Sequence, residues 1–546
     1  MKSSGPRISD WATGLITLFA LWMIAGCVFL PMNDAPSHIA NGVIAHKLLH
    51  HDAFFASHYL FEPVLVPYWA TALWLLLWQN VTTPLVAWKL LIALYVVLLP
   101  LACRFVAKTA SQLDADPTPD SPPPSPLSLP LLPLGLLTAF HWGYWMGESN
   151  YLVGQPVALL GLGLLFRSKR LLSGSFAGFV LLAALSYICH IYALTLLLIA
   201  ATAWAALSFV GRWLPSLRVR PLRPVQLVGL GWLYALFALA AYFVLFQHGS
   251  QANRGSLGFD LSLRRLAHML IDPFDTPTPP PRLALALLYL GIGVAYVLLQ
   301  KDNLRSLLAS PGKRLAALHA LCHPELLFTG LVVLLAAYLG PVSILGPDGS
   351  QKEGEIAIRF VLGGFLLVLL SLRWPLVPDR LPRALLAVTL AMFALVQLRS
   401  IYTLHRDTDA TLRTIDGQIL AQIPPHKNVL PLIDLTDGQW RDYLIHRVVN
   451  YVVLRDSYSP HVFAVKGQHA LRHLPWGDQR DVRNFDISQD EWRYYDYVLL
   501  QTDKPTLPPS LQGHVQLIAQ AAPFALYRVE RPATTPPSAL PLAPTP

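Results

Sequence analysis

About eleven mostly apolar stretches, each roughly 17 to 25 residues long, follow one another between Trp11 and Ile401. A helix of that length crosses about 30 Å of hydrocarbon, and a helix satisfies its own backbone polar groups where no water can. The stretches are Trp11–Pro31, Thr82–Cys103, Leu129–Met146, Tyr151–Phe166, Leu172–Cys189, Ile191–Val210 and Val225–Phe246. Leu283–Leu299, Glu325–Leu345, Ile358–Leu372 and Ala384–Ile401 complete the set. The chain of 546 residues is 54% apolar and only 13% charged, more apolar surface than one water-soluble core absorbs. The pattern predicts an all-α polytopic membrane protein with about eleven transmembrane helices.

Charge fixes the direction of the crossings, because loops on the cytoplasmic side are enriched in Lys and Arg. Lys2 and Arg7, Arg104 and Lys108, Arg167 with Lys169 and Arg170, and Arg212 with Arg218, Arg220 and Arg223 fall on one side. Lys301, Arg305, Lys313 and Arg314, then Arg373, Arg380 and Arg383, continue the alternation, while the connections at Gly147–Asn150 and His190 carry no Lys or Arg. The N-terminus is thus expected in the cytoplasm and the C-terminal segment outside. The formal charge of +9 is dispersed in these clusters, so it reads as topology and not as a nucleic-acid surface. The first stretch resembles a signal peptide, but it is long and lacks a small-x-small cleavage site, so it is kept as a crossing. Tyr68–Trp78 is too short to cross and rich in Trp. It is expected to lie in the membrane plane as an interfacial helix of a long first outer loop.

Beyond Ile401 charged and polar residues become frequent. Asp407–Ala421 and Trp440–Leu454 have helical periodicity, and Val429–Leu435, Tyr497–Gln501 and Phe524–Val529 read as strands. The expected division is a membrane domain over 1–402, a small extracytoplasmic α/β domain over 403–531, and a disordered Pro-rich tail over 532–546. Pro117–Pro130 reads as a cytoplasmic polyproline linker. The four cysteines, Cys27, Cys103, Cys189 and Cys322, lie in or beside apolar runs and match no zinc or redox motif.

Candidates for chemistry concentrate on the outer side. The first outer loop opens Asn33-Asp34-Ala35-Pro36-Ser37-His38. An acid just outside the first crossing can serve as general base toward a hydroxyl at the lipid boundary. Asp34 also suits the N-cap of the following helix, and both roles stand. His46 and His50 are spaced i, i+4, without the HExxH pattern of a metal site. Glu148, in the next outer connection, is brought by topology to the same side, where a second acid can assist the first or help bind a divalent cation. His190 tips the following outer hairpin. Arg254, Arg264, Arg265 and His268 in the fourth outer loop, and Arg359 at the outer start of the tenth crossing, defy the charge rule. As a group they suit an anionic ligand such as a lipid phosphate, though a single Arg equally snorkels to headgroups.

The arrangement resembles the GT-C glycosyltransferases, which include protein O-mannosyltransferases and the aminoarabinose transferases of lipid A. Asp34-Ala35-Pro36-Ser37-His38 is similar to an Asp-x-Pro-x-His form of bacterial members. Gly147-Glu148-Ser149-Asn150-Tyr151-Leu152-Val153-Gly154 and Arg359-Phe360 are similar to their later segments, and the likeness covers roughly Met1–Ile401. The chain departs from better-known members in lacking an Asp-Glu pair and in having Phe61-Glu62-Pro63 where they carry Lys-Pro-Pro. The resemblance implies inverting transfer of a sugar from a polyprenyl-phosphate carrier to a glycan, lipid or protein acceptor outside a bacterial inner membrane. Asp34 would be the base, Glu148 its assistant, and His38, His190, Arg254, Arg264, Arg265 and Arg359 would bind substrate. A flippase for a lipid-linked saccharide and a non-catalytic envelope-assembly protein remain as alternatives.

The topology is tested by a reporter active only outside the cytoplasm. It is expected to work when fused after Thr403 and to fail after Arg170 or Arg314, and the opposite pattern would reverse the orientation.

Overall fold

The computed structural model describes residues 8–62, 67–111, 136–213, 219–246, 256–277, 282–309, 314–345, 351–353, 356–373, 380–433, 444–463, 471–474, 491–501 and 507–531. The linker Pro117–Pro130 and the tail Pro532–Pro546 lie outside them. Helix dominates, as a polytopic membrane protein requires. Ten of the eleven apolar stretches coincide with helices, among them Ile8–Gly26, Pro84–Ser111, Ile191–Trp213 and Pro224–Phe246. Of the stretch Leu129–Met146, residues 129–135 fall outside the described residues, and Trp142–Met146 is a short helix. Among the described residues, five helices are long and apolar enough to cross a membrane, and six if the bent pair Leu283–Leu299 and Lys301–Leu308 counts as one span. Thr13–Gly26, Gly174–Cys189, Pro324–Leu339 and Ile358–Ser371 are shorter apolar helices. Tyr68–Trp78 appears as the helix Ala70–Trp78, which buries Thr71 and Leu75 and exposes Leu73 and Leu77.

The chain divides into two compact units. The first comprises Met1–Trp22, Ala93–Gly143 and Tyr151–Ile401, and the second Met23–Ile92, Tyr144–Asn150 and Tyr402–Pro546. The helix Arg380–Gln418 runs through the point where the composition changes, and the second unit takes in the segment Met23–Ile92 and the Glu148 connection as well as the C-terminal residues.

Within the first unit the helices Pro324–Leu339 and Ile358–Ser371 approach through glycine. A Cβ on Gly330 would meet the Val368 backbone nitrogen at 2.8 Å and the Gly364 carbonyl oxygen at 2.9 Å, so only the bare backbone fits. Small residues serve this purpose in lipid, where apolar side chains gain nothing by leaving the acyl chains and close backbone contact must hold helices together.

The second unit is built on a four-stranded mixed sheet in the order Val429–Ile433, Tyr497–Gln501, Phe524–Val529, Val515–Ala521. Strands β5 (Val429–Ile433) and β7 (Tyr497–Gln501) run parallel and are buried on both faces, which explains their unbroken apolar sequences. Strand β9 (Phe524–Val529) pairs antiparallel with β7 and with the exposed edge strand β8 (Val515–Ala521). Val448–Arg455, inside the segment expected to be α-helical, winds as a 3-10 helix.

Within the second unit, several contacts stitch the segment that follows Gly26 to C-terminal residues. Strand β1 (Tyr59–Phe61) pairs antiparallel with β6 (Leu471–His473). Asn450 donates to the Ser37 hydroxyl at 2.7 Å and accepts from Ser459 at 2.8 Å, with all three residues buried. Asp409 accepts from the backbone N–H groups of Val28 and Phe29 at 3.0 and 2.7 Å. Burial pushes the His473 imidazole down to about 4 and lowers that of His58, so both are neutral members of the core near pH 7.

The Glu148 connection is fixed against the start of the first loop. Asn33 N–H donates to the Trp145 carbonyl at 2.8 Å and Asp34 N–H to the Met146 carbonyl at 2.9 Å. Gly147 follows with φ +81°, where a Cβ would meet the Asp34 nitrogen at 2.9 Å. Gly147→Ala is therefore expected to destabilise the protein by at least about 1–2 kcal/mol, the cost of a left-handed residue before the collision is counted. Gly14→Ala, in the Ile8–Gly26 helix with nothing within 4 Å of the added atom, is expected to be neutral or stabilising. Thermal unfolding of the two detergent-extracted variants compares them, and equal melting temperatures would show that the loop yields.

Candidate active site

Asp34 occupies the N-cap position of the helix Ala35–Leu49, with Pro in its first turn, but its side chain makes no capping hydrogen bond. Its Oδ1 instead lies 2.8 Å from Nε of Arg447, a residue that follows it by more than four hundred positions. The Asp34 side chain is 17% exposed and that of Arg447 11% exposed, so the pair is sheltered. The Arg447 guanidinium stands 4.4 Å over the Phe463 ring, and its NH1 faces His461 Nε2 at 3.5 Å. These contacts hold the cation in one place before it meets the carboxylate.

One helical turn on, His38 donates its backbone N–H to the Asp34 carbonyl at 3.0 Å. Its ring stacks on Trp88 at 6.0 Å and meets the edge of Phe463 at 5.4 Å. Residues 35–37, 39 and 40 are buried, whereas Asp34 and His38 are only partly so. The i, i+4 spacing puts these two polar groups on the same helix face. Phe463 touches both members of this turn, under the Arg447 guanidinium and against the His38 ring.

Glu148 is half-buried between two pinned residues. Before it, the Met146 carbonyl accepts from Asp34. After it, the Ser149 hydroxyl meets the Thr71 hydroxyl at 2.7 Å and Asn150 accepts from the Thr71 N–H at 2.8 Å. The second acid thus sits on the same pinned loop whose backbone holds Asp34. Among the described residues no group of three or more His, Cys, Asp or Glu is arranged to hold a metal ion.

The first unit contains a separate cluster. Arg359, in the first turn of Ile358–Ser371, is nearly buried, with its guanidinium 4.7 Å over the Tyr192 ring and 5.9 Å from the Trp142 ring. His190 links the helices Gly174–Cys189 and Ile191–Trp213 and stacks on the same Tyr192 at 4.9 Å and 26°. Its Nδ1 accepts the Tyr192 N–H at 3.1 Å. Two residues singled out in the sequence, His190 and Arg359, are thereby joined through one that was not. The remaining outer cations differ in surroundings. Arg264 is exposed on the short helix Leu263–Met269, Arg265 lies 3.3 Å from the Asp272 carboxylate, and Arg254 is outside the described residues.

Sequence reasoning missed Arg447, Phe463, Tyr192 and Trp142. Tyr192 carried a usable signal, being an aromatic two residues past the hairpin tip. Arg447 carried none, since nothing local tells which residue of a distant segment returns to Asp34.

No protein family matches the sequence, and no curated protein matches it. Among solved structures the chain is similar to the cryo-EM structure of the arabinofuranosyltransferase AftD from Mycobacteria, at 15% identity and a TM-score of 0.41. That likeness covers 97% of this chain and 40% of the other, so the chain spans two-fifths of the length of the protein it matches.

Proposed function

We propose that the protein is a membrane glycosyltransferase that moves a sugar, with inversion, from a polyprenyl-phosphate carrier to a hydroxyl of an acceptor on the extracytoplasmic face of a bacterial inner membrane. The eleven-crossing topology, with the N-terminus in the cytoplasm and residues 403–531 outside, belongs to the same reading. The observation that carries it is the state of Asp34. Its carboxylate stands where a helix cap would be, does not cap, and meets the Arg447 guanidinium instead, one helical turn before His38.

In the proposed reaction the acceptor oxygen attacks the anomeric carbon while the bond from that carbon to the carrier phosphate breaks. The electron pair leaves with the polyprenyl phosphate, and the hydroxyl proton passes to Asp34. Glu148 assists the base. His38 contacts the acceptor from the same helix face. In the first unit, Arg359, held over Tyr192, is assigned to binding the carrier phosphate, with His190 against the same ring. Arg254 and Arg264 belong to the carrier's surroundings, with Arg265 shared between the carrier and Asp272.

Asp34→Asn tests the base, because the amide accepts no proton. Transfer is expected to fall by about 10² to 10⁴, measured by mass spectrometry of surface glycans in cells relying on the variant. The substitution also leaves Arg447 without its counter-charge, so the neutral pair Asp34→Asn with Arg447→Gln is the second arm. It is expected to recover extracted yield and melting temperature while transfer stays lost. Normal transfer in either variant would end the role of Asp34 as base.

Arg359→Ala is expected to weaken donor use by about 10- to 100-fold, the equivalent of one charge-assisted contact at about 1.5–3 kcal/mol. The measurement is the thermal shift produced by adding undecaprenyl phosphate to purified protein. An unchanged dose dependence in Arg359→Ala would remove the phosphate role.

A further inference from the structure

Residues 256–270 of the first unit carry an unusual load of apolar surface. Leu257, Phe259, Leu261, Leu263, Leu266 and Leu270 are each about half exposed or more, and Leu263 is 81% exposed. A water-facing loop with so many exposed large side chains within fifteen positions is unstable against association unless something apolar covers it.

The short helix Leu263–Met269 shows what it is shaped for. Leu263, Leu266 and Leu270 recur at i, i+3 and i+7 and share one exposed face. Arg264 and His268, at i and i+4, share a second exposed face. Arg265, beside Asp272, and Met269, which is buried, turn toward the protein. The Ser262 hydroxyl caps the helix by accepting from Arg265 N–H at 3.1 Å, so the backbone is ordered without an outside partner. A helix of seven residues spans only about 10 Å and cannot cross a bilayer. One apolar face, one cationic face and one anchored face suit a helix lying flat at the lipid boundary.

Two tyrosines fix the segment's level. The Tyr338 hydroxyl donates to the Leu261 carbonyl at 2.5 Å, and the Tyr289 hydroxyl donates to the Leu270 carbonyl. These tyrosines belong to Pro324–Leu339 and Arg282–Leu299. Both helices expose leucine stripes of the kind that face acyl chains: Leu331, Leu335 and Leu339 on one, and Leu283, Leu287 and Leu290 on the other. The apolar face of the loop therefore continues an apolar surface already turned to lipid. Its anchors are of the residue type enriched where hydrocarbon meets headgroups.

We infer that residues 256–270 form a membrane-dipping segment whose leucine face enters the acyl region of the adjacent leaflet while Arg264 stays at the lipid phosphates. The partner is the bilayer itself. The segment anchors the first unit at a defined depth.

All four native cysteines are buried, so a single introduced cysteine takes a fluorophore selectively. Full-length Leu263→Cys and Leu266→Cys, labelled with an environment-sensitive dye in phosphatidylcholine nanodiscs, are read against Ile518→Cys on the exposed edge strand β8. Brominated lipid is expected to cause a loss of fluorescence at 263 and 266 while aqueous iodide does not, with the reverse at 518. Quenching of 263 and 266 by iodide would place the segment in water. Protection from both quenchers would mean that protein covers it. Either result overturns the inference.

Discussion

Two backbone hydrogen bonds, from Asn33 to Trp145 and from Asp34 to Met146, set the register on which the second unit's candidate site depends. They can form only because Gly147 has no side chain where the Asp34 nitrogen passes. With that register fixed, the loop carrying Glu148 is held at its other end by Thr71, and the first turn of Ala35–Leu49 is held by Asn450 through Ser37. Each polar group in this chain of contacts is buried and paired, and a buried polar group left unpaired costs about 1–3 kcal/mol. The site is therefore preorganised by backbone and neutral side chains, and its charged members are left with few ways to move.

Much of the helical architecture was legible in the sequence, because lipid leaves the backbone one solution and hydropathy records it. Strands β5, β7 and β9 were legible for a related reason, since burial on both faces demands continuous apolar runs. Strand β8 was not. As an exposed edge it mixes Gln with Leu and Ile and has no buried face to impose a period. The 3-10 winding of Val448–Arg455 was also hidden, because its apolar residues fit a helical period and the tighter hydrogen bonding leaves no compositional trace. Asp34 and Glu148 could be chosen from their position after a crossing and in a short outer loop. Arg447 could not, since the pairing joins segments whose separation in sequence carries no local pattern.

The outer cations show how little a charge rule says about roles. In the sequence Arg264, Arg265 and Arg359 are alike, three arginines on the side where arginine is rare. In the structure one is exposed beside leucines, one faces a buried carboxylate, and one is nearly buried over a tyrosine ring. These environments differ in kind. An exposed guanidinium is free to follow a headgroup, a paired one must first give up its carboxylate, and one stacked on aromatic rings has its direction set in part by those rings. Of the three, the arginine over Tyr192 is the one whose geometry is set in advance of any ligand.

The same reasoning bears on Asp34. A cap and a base make opposite demands on a carboxylate: a cap turns its oxygens back toward the helix N–H groups, and a base turns them outward to a reacting proton. In the structure the Asp34 carboxylate makes no cap bond and is directed at Arg447. An arginine does not release its proton near neutral pH, so within the pair only the aspartate can accept one. Its position is already restrained by Phe463 and His461, which lowers the entropy lost when it orients the carboxylate. Half-buried ion pairs contribute little net stability, so their contribution to folding is a weak reason for this one to exist. Fixing the direction of the carboxylate is a stronger one, and it requires the arginine to come from a segment rigidly joined to the first loop. The β1–β6 ladder and the Asn450–Ser37 contact provide that joint.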